Sequence, residues 1–492
     1  MSISGIGSRS ALGVQSLVDM RRQLDDLQRQ LSSGKKSTTY AGIGLDRGLT
    51  VGLRNRLSAI ESFQSSITHL DVRINLAQTA LGRLADIGHA VKSAAFQSNE
   101  IGSSGATVAQ STAYSSLDEM LGLLNTQVGD RYIFSGSGTD QPSVATLSQI
   151  MDGDGARAGF KQIVSERRQA DVGANGLGRL AISKPTPTSV QVDEDVAGSP
   201  FGLKLSGINA SMANATVAGA APTMSVEFTG LPNAGDTVQF QFTLPDGSSE
   251  IVTLTAAMSA TPGPNEFTIG ATADATADNL QTALTTSVGK LAGTSLVAAS
   301  ALAAADNFFN GTPQRVDGPP FDSATGLIAG TPANTVSWYT GENGSDPARS
   351  TATARIDTSI TVSYGMRANE EGVRFAIQNV AALAAMIFPP GDPDAEARSA
   401  ALRARVGGNL DAPPGTQSIE DIQSELAGAH ETIQGASERH RQAKSTLAGM
   451  LEQIEGVPPE QVAAEILALQ TRLQASLQTT AMLYQISLVN YL

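Results

Sequence analysis

Apolar residues at steps of three and four open and close this chain, and a region with a different periodicity lies between them. Leu17, Met20, Leu24, Leu27 and Leu31 follow alternating steps of three and four, the spacing that lays one stripe along a helix and seats it against another. Val462, Ile466, Leu469, Leu473 and Leu477 make a second stripe near the C-terminus. The simplest way to hide both is to pack the first segment against the last, or each against copies from neighbouring subunits. A longer stripe runs through Leu53, Leu57, Ile60, Ile67, Leu70, Ile74, Leu81, Leu84 and Val91. At about 1.5 Å per residue it predicts a helix tens of ångströms long. Gly102 and Gly105 end it, and Leu117, Leu121, Leu124 and Val128 mark a return helix.

From about residue 140 the period shortens. Val226, Phe228, Val238, Phe240, Phe242, Leu244, Ile251 and Leu254 alternate around Pro245-Asp246-Gly247-Ser248, a hairpin signal. Leu280 and Leu284, followed by an Ala-rich segment over 295–309, add a pair of helices. Helical spacing returns at Phe375, Val380, Leu383 and Ile387. It continues at Ile419, Ile422, Leu426, Ile433, Leu447, Leu451 and Ile454 until Gly456-Val457-Pro458-Pro459 breaks it. The closing helix begins near Glu460, with proline in the favoured first turn. The expected fold is therefore α+β, with N- and C-terminal helices forming a long coiled-coil rod and a β-rich inserted domain in the middle. Residues 1–44 and 456–492 are the helices of a terminal coiled-coil domain. Residues 45–194 and 336–455 are the two parts of a long-helix rod domain, and 195–335 an inserted α+β outer domain.

Composition narrows the classes of function. Aromatic residues are 4% of the 492, with one Trp and 49 Gly, so cores are built from Leu, Ile, Val and Ala. A formal net charge of −14 opposes a general nucleic-acid binder, which needs a basic face to displace counterions. Arg21, Arg22, Arg29, Lys35, Lys36, Arg47, Arg54 and Arg56 nevertheless make the first sixty residues basic. The absence of cysteine removes disulfides, thiol catalysis and cysteine metal sites together. Met1-Ser2-Ile3-Ser4-Gly5-Ile6 has no basic region followed by an apolar one, and no run of about eighteen apolar residues is evident. No cleaved signal and no membrane insertion are expected, which taken alone points to the cytoplasm.

Candidate chemistry is sparse. His69, His89, His430 and His440 lie on expected helices without a partner at i+3 or i+4, as packing or surface histidines do. Asp152-Gly153-Asp154-Gly155 begins like a calcium loop, but position twelve is Ile163 rather than a bidentate Glu, so it reads as a turn. Gly136-Ser137-Gly138 lacks the Lys of a phosphate loop. No enzyme activity, cofactor or metal is expected. Asn209-Ala210-Ser211 and Asn343-Gly344-Ser345 fit the short N-glycosylation pattern.

Leu31-Ser32-Ser33-Gly34-Lys35 after a heptad, the long helix from Leu53 to Val91, and the helix–break–helix end from Leu447 to Leu492 together resemble the bacterial flagellin family. The resemblance covers roughly the first 140 and last 120 residues. Asp130-Arg131-Tyr132-Ile133-Phe134-Ser135-Gly136 with Thr139-Asp140, and the end Tyr484-Gln485-Ile486-Ser487-Leu488-Val489-Asn490-Tyr491-Leu492, are more similar to the hook–filament junction members of that family than to bulk flagellin. The resemblance implies export without a cleaved signal through the flagellar type III apparatus, and assembly outside the cell. The partners it implies are hook-associated protein 1, flagellin, copies of the chain itself in a helical ring, and a flagellar export chaperone. It also makes Leu17, Met20, Leu24, Leu27 and Leu31 with Val462, Ile466, Leu469, Leu473 and Leu477 an assembly interface. A flagellin of the bulk filament is the alternative; an enzyme or adhesin on flagellin-like ends, or a cytoplasmic scaffold, are readings of other classes.

Overall fold

The computed structural model describes residues 4–97, 100–102, 105–389, 391–411 and 415–489. Its elements, in chain order, begin with the helices α1 (Ser4–Ser33), α2 (Arg47–Gln97) and α3 (Val108–Leu124) and the short strands β1 (Gln127–Val128) and β2 (Arg131–Tyr132). Helices α4 (Leu147–Asp152) and α5 (Phe160–Val172) precede the strands β3 (Leu180–Ser183), β4 (Ser189–Glu194), β5 (Lys204–Ser211), β6 (Ala215–Ala220), β7 (Thr223–Phe228), β8 (Thr237–Thr243), β9 (Ser249–Ala257) and β10 (Glu266–Thr268). Then come α6 (Ala273–Leu291), α7 (Val297–Phe309), β11 (Gln314–Val316), β12 (Leu327–Ala329), β13 (Thr353–Arg355) and β14 (Thr361–Ser363). The chain closes with α8 (Glu371–Ala385), α9 (Ala395–Asn409), α10 (Ile419–Glu455) and α11 (Pro459–Val489). The fold is mixed α and β with long helices at both ends.

Two compact units divide the chain. The smaller holds Met1–Asp71, Ala354–Val362 and His430–Leu492; the larger holds Val72–Thr353 and Ser363–Ala429. The division falls inside α2 and inside α10, not at residues 44/45 or 455/456, where the apolar pattern changes. A continuous apolar stripe marks a helix, but it does not say which neighbours cover each stretch of it.

In the smaller unit α1 stops where Gly34 adopts φ +67, a conformation that side chains with a Cβ disfavour. Pro459 opens α11 at the position where a missing N–H costs no helical bond. Leu53, Ile67 and Leu70 of α2 are buried, as are Ile433, Ala436 and His440 of α10. The His440 ring stacks on Phe63 at 5.5 Å between centroids, and its Nε2 is 2.7 Å from the Ile356 carbonyl oxygen. Lys444 pairs with Glu61 at 3.0 Å, and His430 lies 2.7 Å from Asp71.

The larger unit has a heavier core. Phe160, Phe308, Phe309 and Trp338 form a chain of tilted and edge-on rings, with successive centroids 4.9 to 5.6 Å apart, the arrangement ring quadrupoles favour. Trp338 Nε1 donates to the Phe309 carbonyl at 2.9 Å, so the one indole is buried with its donor satisfied. Two four-stranded sheets, ordered β3-β4-β7-β6 and β10-β9-β8-β5, share a core with α6 through Phe228, Phe240, Phe242, Phe267, Leu280, Leu284 and Val288. The Pro245–Ser248 turn joins β8 to β9 in the register Thr243↔Ser249.

Three features of this unit depart from the sequence reading. β3 and β4 lie before residue 195, yet β4 pairs with β7 from Ser189↔Glu227 to Asp193↔Thr223, so the sheet begins some fifteen residues earlier than the expected insert. Val336 and Trp338 alternate with polar neighbours as a strand would, yet form none; Tyr339 beside them makes an isolated bridge to Val144. The two helices expected near 277–288 and 295–309 are joined by a π-helical turn over Ala292–Leu296. Ala273–Phe309 is, among the described residues, the one stretch whose length and apolarity would suffice to cross a membrane, and 72% of its apolar window is buried within the protein. α7 packs on α5, α8 and α9, and Ala298, Ala299, Ala301, Ala304 and Ala305 let those helices approach closely. The segment 195–335 is therefore not a core of its own.

Candidate assembly surface

The ten positions of the two terminal stripes sort by distance from the helix breaks. Leu27, Val462, Ile466 and Leu469 form one buried cluster, with Met20, Leu24 and Val457 packed against it. Leu17 and Leu473 are half-buried. Leu31 and Leu477 stand 43% and 50% exposed, outside the seam that their spacing predicts. For Leu31 the reason is local: α1 ends two residues later and the chain turns away at Gly34, while Val457 covers the end of the cluster. For Leu477 the reason is distance. α1 runs into its break and α11 runs out of its own, so the helices are antiparallel and their contact loosens away from the turns.

The two breaks are themselves paired, which no periodicity signalled. Lys35 and Gly456 form an antiparallel bridge, Val457 N–H donates to the Gly34 carbonyl at 3.0 Å, and Lys36 N–H to the Glu455 carbonyl at 2.7 Å. Beside this bridge the Glu455 side chain is 5% exposed. It accepts a two-pronged contact from Arg54, Nε to Oε1 at 3.0 Å and a terminal nitrogen to Oε2 at 2.6 Å, with Lys35 Nζ 3.6 Å away. Planar guanidinium–carboxylate pairs of this geometry fix orientation as well as charge. The hydrogen bond that Arg54 donates to Glu455 holds its pKa above the ordinary value. Lys35 and Arg54 were visible as part of a basic segment; Glu455, their counter-charge some four hundred residues later, was not.

Apolar side chains remain uncovered around this seam. Leu12, Val14 and Val18 of α1, and Leu467, Leu477 and Met482 of α11, are between 40% and 70% exposed. More than half of the large apolar side chains exposed among the described residues lie in the smaller unit, which holds under a third of the chain. A helix apolar around much of its surface is ordinarily enclosed by other chains or by a core.

The Asp130–Gly136 segment is held structurally in the larger unit. β1 and β2 pair across Gly129, Gly136 N–H donates to the Met366 carbonyl at 2.9 Å, and Ala368 N–H to the Phe134 carbonyl at 2.8 Å. Arg367, 8% exposed, contacts Glu342 and donates to the carbonyls of Gly344 and Asp346 at 2.9 and 2.8 Å. Next to it, burial raises the pKa of Glu370, opposed by the Arg349 charge, and burial likewise raises that of the Tyr339 phenol, whose hydroxyl donates to the Glu342 carbonyl at 2.9 Å. These groups form a satisfied network.

Elsewhere the chemistry is also structural. Asp154 accepts from Arg157 N–H at 2.9 Å and Nε at 2.7 Å; the Arg157 side chain leads the causes that lower its pKa. Asp171 is fully buried between Arg167, Ser300 and the Gly202 N–H. Burial raises its pKa, against the pull of Arg167. Among the described residues no three His, Asp or Glu side chains are placed to hold a metal ion. No family model matches the chain, and no curated protein matches it either.

Proposed function

We propose that this protein is a structural subunit of the bacterial flagellum that forms the junction between hook and filament, similar to hook-associated protein 3, and assembles by helical polymerisation through its paired terminal helices. The observation that carries the proposal is the α1–α11 pair: it buries the stripe expected of such a subunit, from Leu24 and Leu27 to Ile466 and Leu469, and leaves a second apolar surface uncovered. In the assembled state the terminal helices and the α2–α10 pair form a coiled-coil rod, and neighbouring copies cover Leu12, Val14, Val18, Leu467, Leu477 and Met482. Each aliphatic side chain fully buried in that way contributes on the order of 1.5–3 kcal/mol, so a few per subunit suffice to drive association. Heterologous contacts between such copies give rings or filaments according to whether the rotation closes.

This reading places the protein outside the cell after export through the flagellar apparatus, with hook-associated protein 1 and flagellin as neighbours, an export chaperone on the C-terminal stripe, and no catalytic role. Electron microscopy of isolated hooks incubated with the purified chain, with antibody against the 195–335 segment, tests it. A short labelled zone at the distal end of the hook is expected. Extended growth would make the chain a filament flagellin, and no deposition on hooks bearing hook-associated protein 1 would remove the flagellar reading.

A further inference from the structure

Leu45 is 104% exposed, as open as in an isolated peptide, with Leu49 at 56% and Val51 at 39% behind it. Yet the segment that presents it is braced. Leu45 sits in a 3-10 turn over Tyr40–Asp46, and Gly44 at φ +72 sets its direction. The Tyr40 hydroxyl accepts from Arg54 at 3.3 Å and its ring faces the same guanidinium at 5.3 Å. Arg54 is in turn fixed by the buried Glu455. An apolar side chain presented by a braced turn is the kind of anchor in which protein interfaces concentrate their affinity.

The same sequence carries a receptor for it. A pocket of about 210 Å³ in the larger unit is floored by Leu84, Gly88, Phe375, Leu410 and Ile419, with Glu420 at its rim. Glu371 and Asp421 stand beside this rim, accepting from the N–H groups of Gln417 and Ser418, and Asp411 on the other side is engaged by Lys92. The segment that carries the anchor has a basic excess: the first sixty residues hold nine basic against four acidic side chains, and next to Leu45 stand Asp46 and then Arg47. Charge of this kind orients encounter and register.

We infer that Leu45 of one copy seats in the Leu84–Leu410–Ile419 pocket of a neighbouring copy, with Arg47 facing Glu420 across the rim. The partner is thus a second copy of this chain, and the inference rests on the assembly reading above. Because anchor and pocket are different surfaces, the contact is heterologous and leaves each added copy with a free pocket or a free anchor, which is how growth propagates.

The chain has no cysteine, so a cross-link can report this contact alone. Two single variants, Leu45→Cys and Gly88→Cys, are mixed, assembled on isolated hooks and oxidised. Leu45 is fully exposed and a Cβ at Gly88 meets nothing within 4 Å, so both should fold; gel filtration and circular dichroism of the monomers check this. A disulfide-linked dimer that needs both variants is expected in the assembled fraction. Leu45→Asp should weaken association about ten- to hundredfold, with Leu45→Met close to wild type. Assemblies that form without the mixed dimer would overturn this contact and leave the assembly reading standing. Failure of the unsubstituted chain to assemble at all would overturn both.

Discussion

The two units of this molecule answer the same problem differently. None of the largest fully buried side chains, from Trp338 through Phe134, Phe160, Phe240 and Phe309 to Ile74, lies in the smaller unit. The larger unit collects them around two sheets and an Ala-rich helix buried over most of its length. The smaller holds itself by one narrow seam at Leu27, Val462, Ile466 and Leu469, the stacked Phe63–His440 pair and the Arg54–Glu455 contact. Helices covered along one stripe gain little from each turn. The larger unit has a closed core, while the smaller has half of one and leaves apolar side chains of α1 and α11 in solvent.

That contrast can be broken most severely by deleting residues 195–335. The cut removes β7 from β4 and α7 from α5, α8 and α9, so the larger unit is expected to lose its cooperative thermal transition in calorimetry. A surviving transition would restore the picture of a separable insert. Leu469→Asp acts on the other unit. It should abolish assembly by sedimentation while the transition of the larger unit stays where it is, and normal incorporation would show that the seam does not drive association. Trp338→Ala sharpens the contrast from inside the larger core, where loss of its ring contacts and its hydrogen bond should cost about 3–5 kcal/mol in denaturant titration. An effect below about 1 kcal/mol would mean the ring chain is not the centre of that core.

The smallest expected effect is a pH dependence. Burial keeps Glu370 protonated to higher pH in the folded chain than in the unfolded one. The folded state then holds the extra proton between the ordinary carboxylate value and the raised one. Stability from this group accordingly falls as pH rises through that window and is level above it. Glu370→Gln removes the slope, which melting temperatures of both chains across the acidic range will reveal; parallel curves would place the charge of Glu370 in a better-solvated setting than its 8% side-chain exposure implies.

Part of this architecture was legible in residue spacing. Steps of three and four placed α1, α2, α10 and α11, and alternation around Pro245–Ser248 placed β8 and β9, because these signals arise within one element. The pairing of the two terminal stripes was legible near the breaks, where Leu27, Ile466 and Leu469 meet, but not its extent: Leu31 stands where α1 ends and Leu477 where the contact with α1 loosens, and both are left exposed. Glu455, Arg367 and Asp171 carried no local sign of their burial, since each is paired with a charge from elsewhere in the fold or at its other end of a helix turn. Leu45 lies between Gly44 and Gly48 and belongs to neither apolar stripe, so no spacing drew attention to it.

The sequence by itself determined which residues could form helices and strands, that the cores would rest on aliphatic and small side chains, and that thiol chemistry was closed to this chain. Periodicity suffices for that, because a helix or strand displays its faces through residues a few positions apart. Tertiary structure alone decided that Lys35 meets Gly456, that β4 joins β7, that α7 packs among α5, α8 and α9, and that Leu45 is left in solvent. Those outcomes depend on burial and pairing between residues up to four hundred positions apart, and no local pattern encodes which distant surface arrives to cover a given side chain.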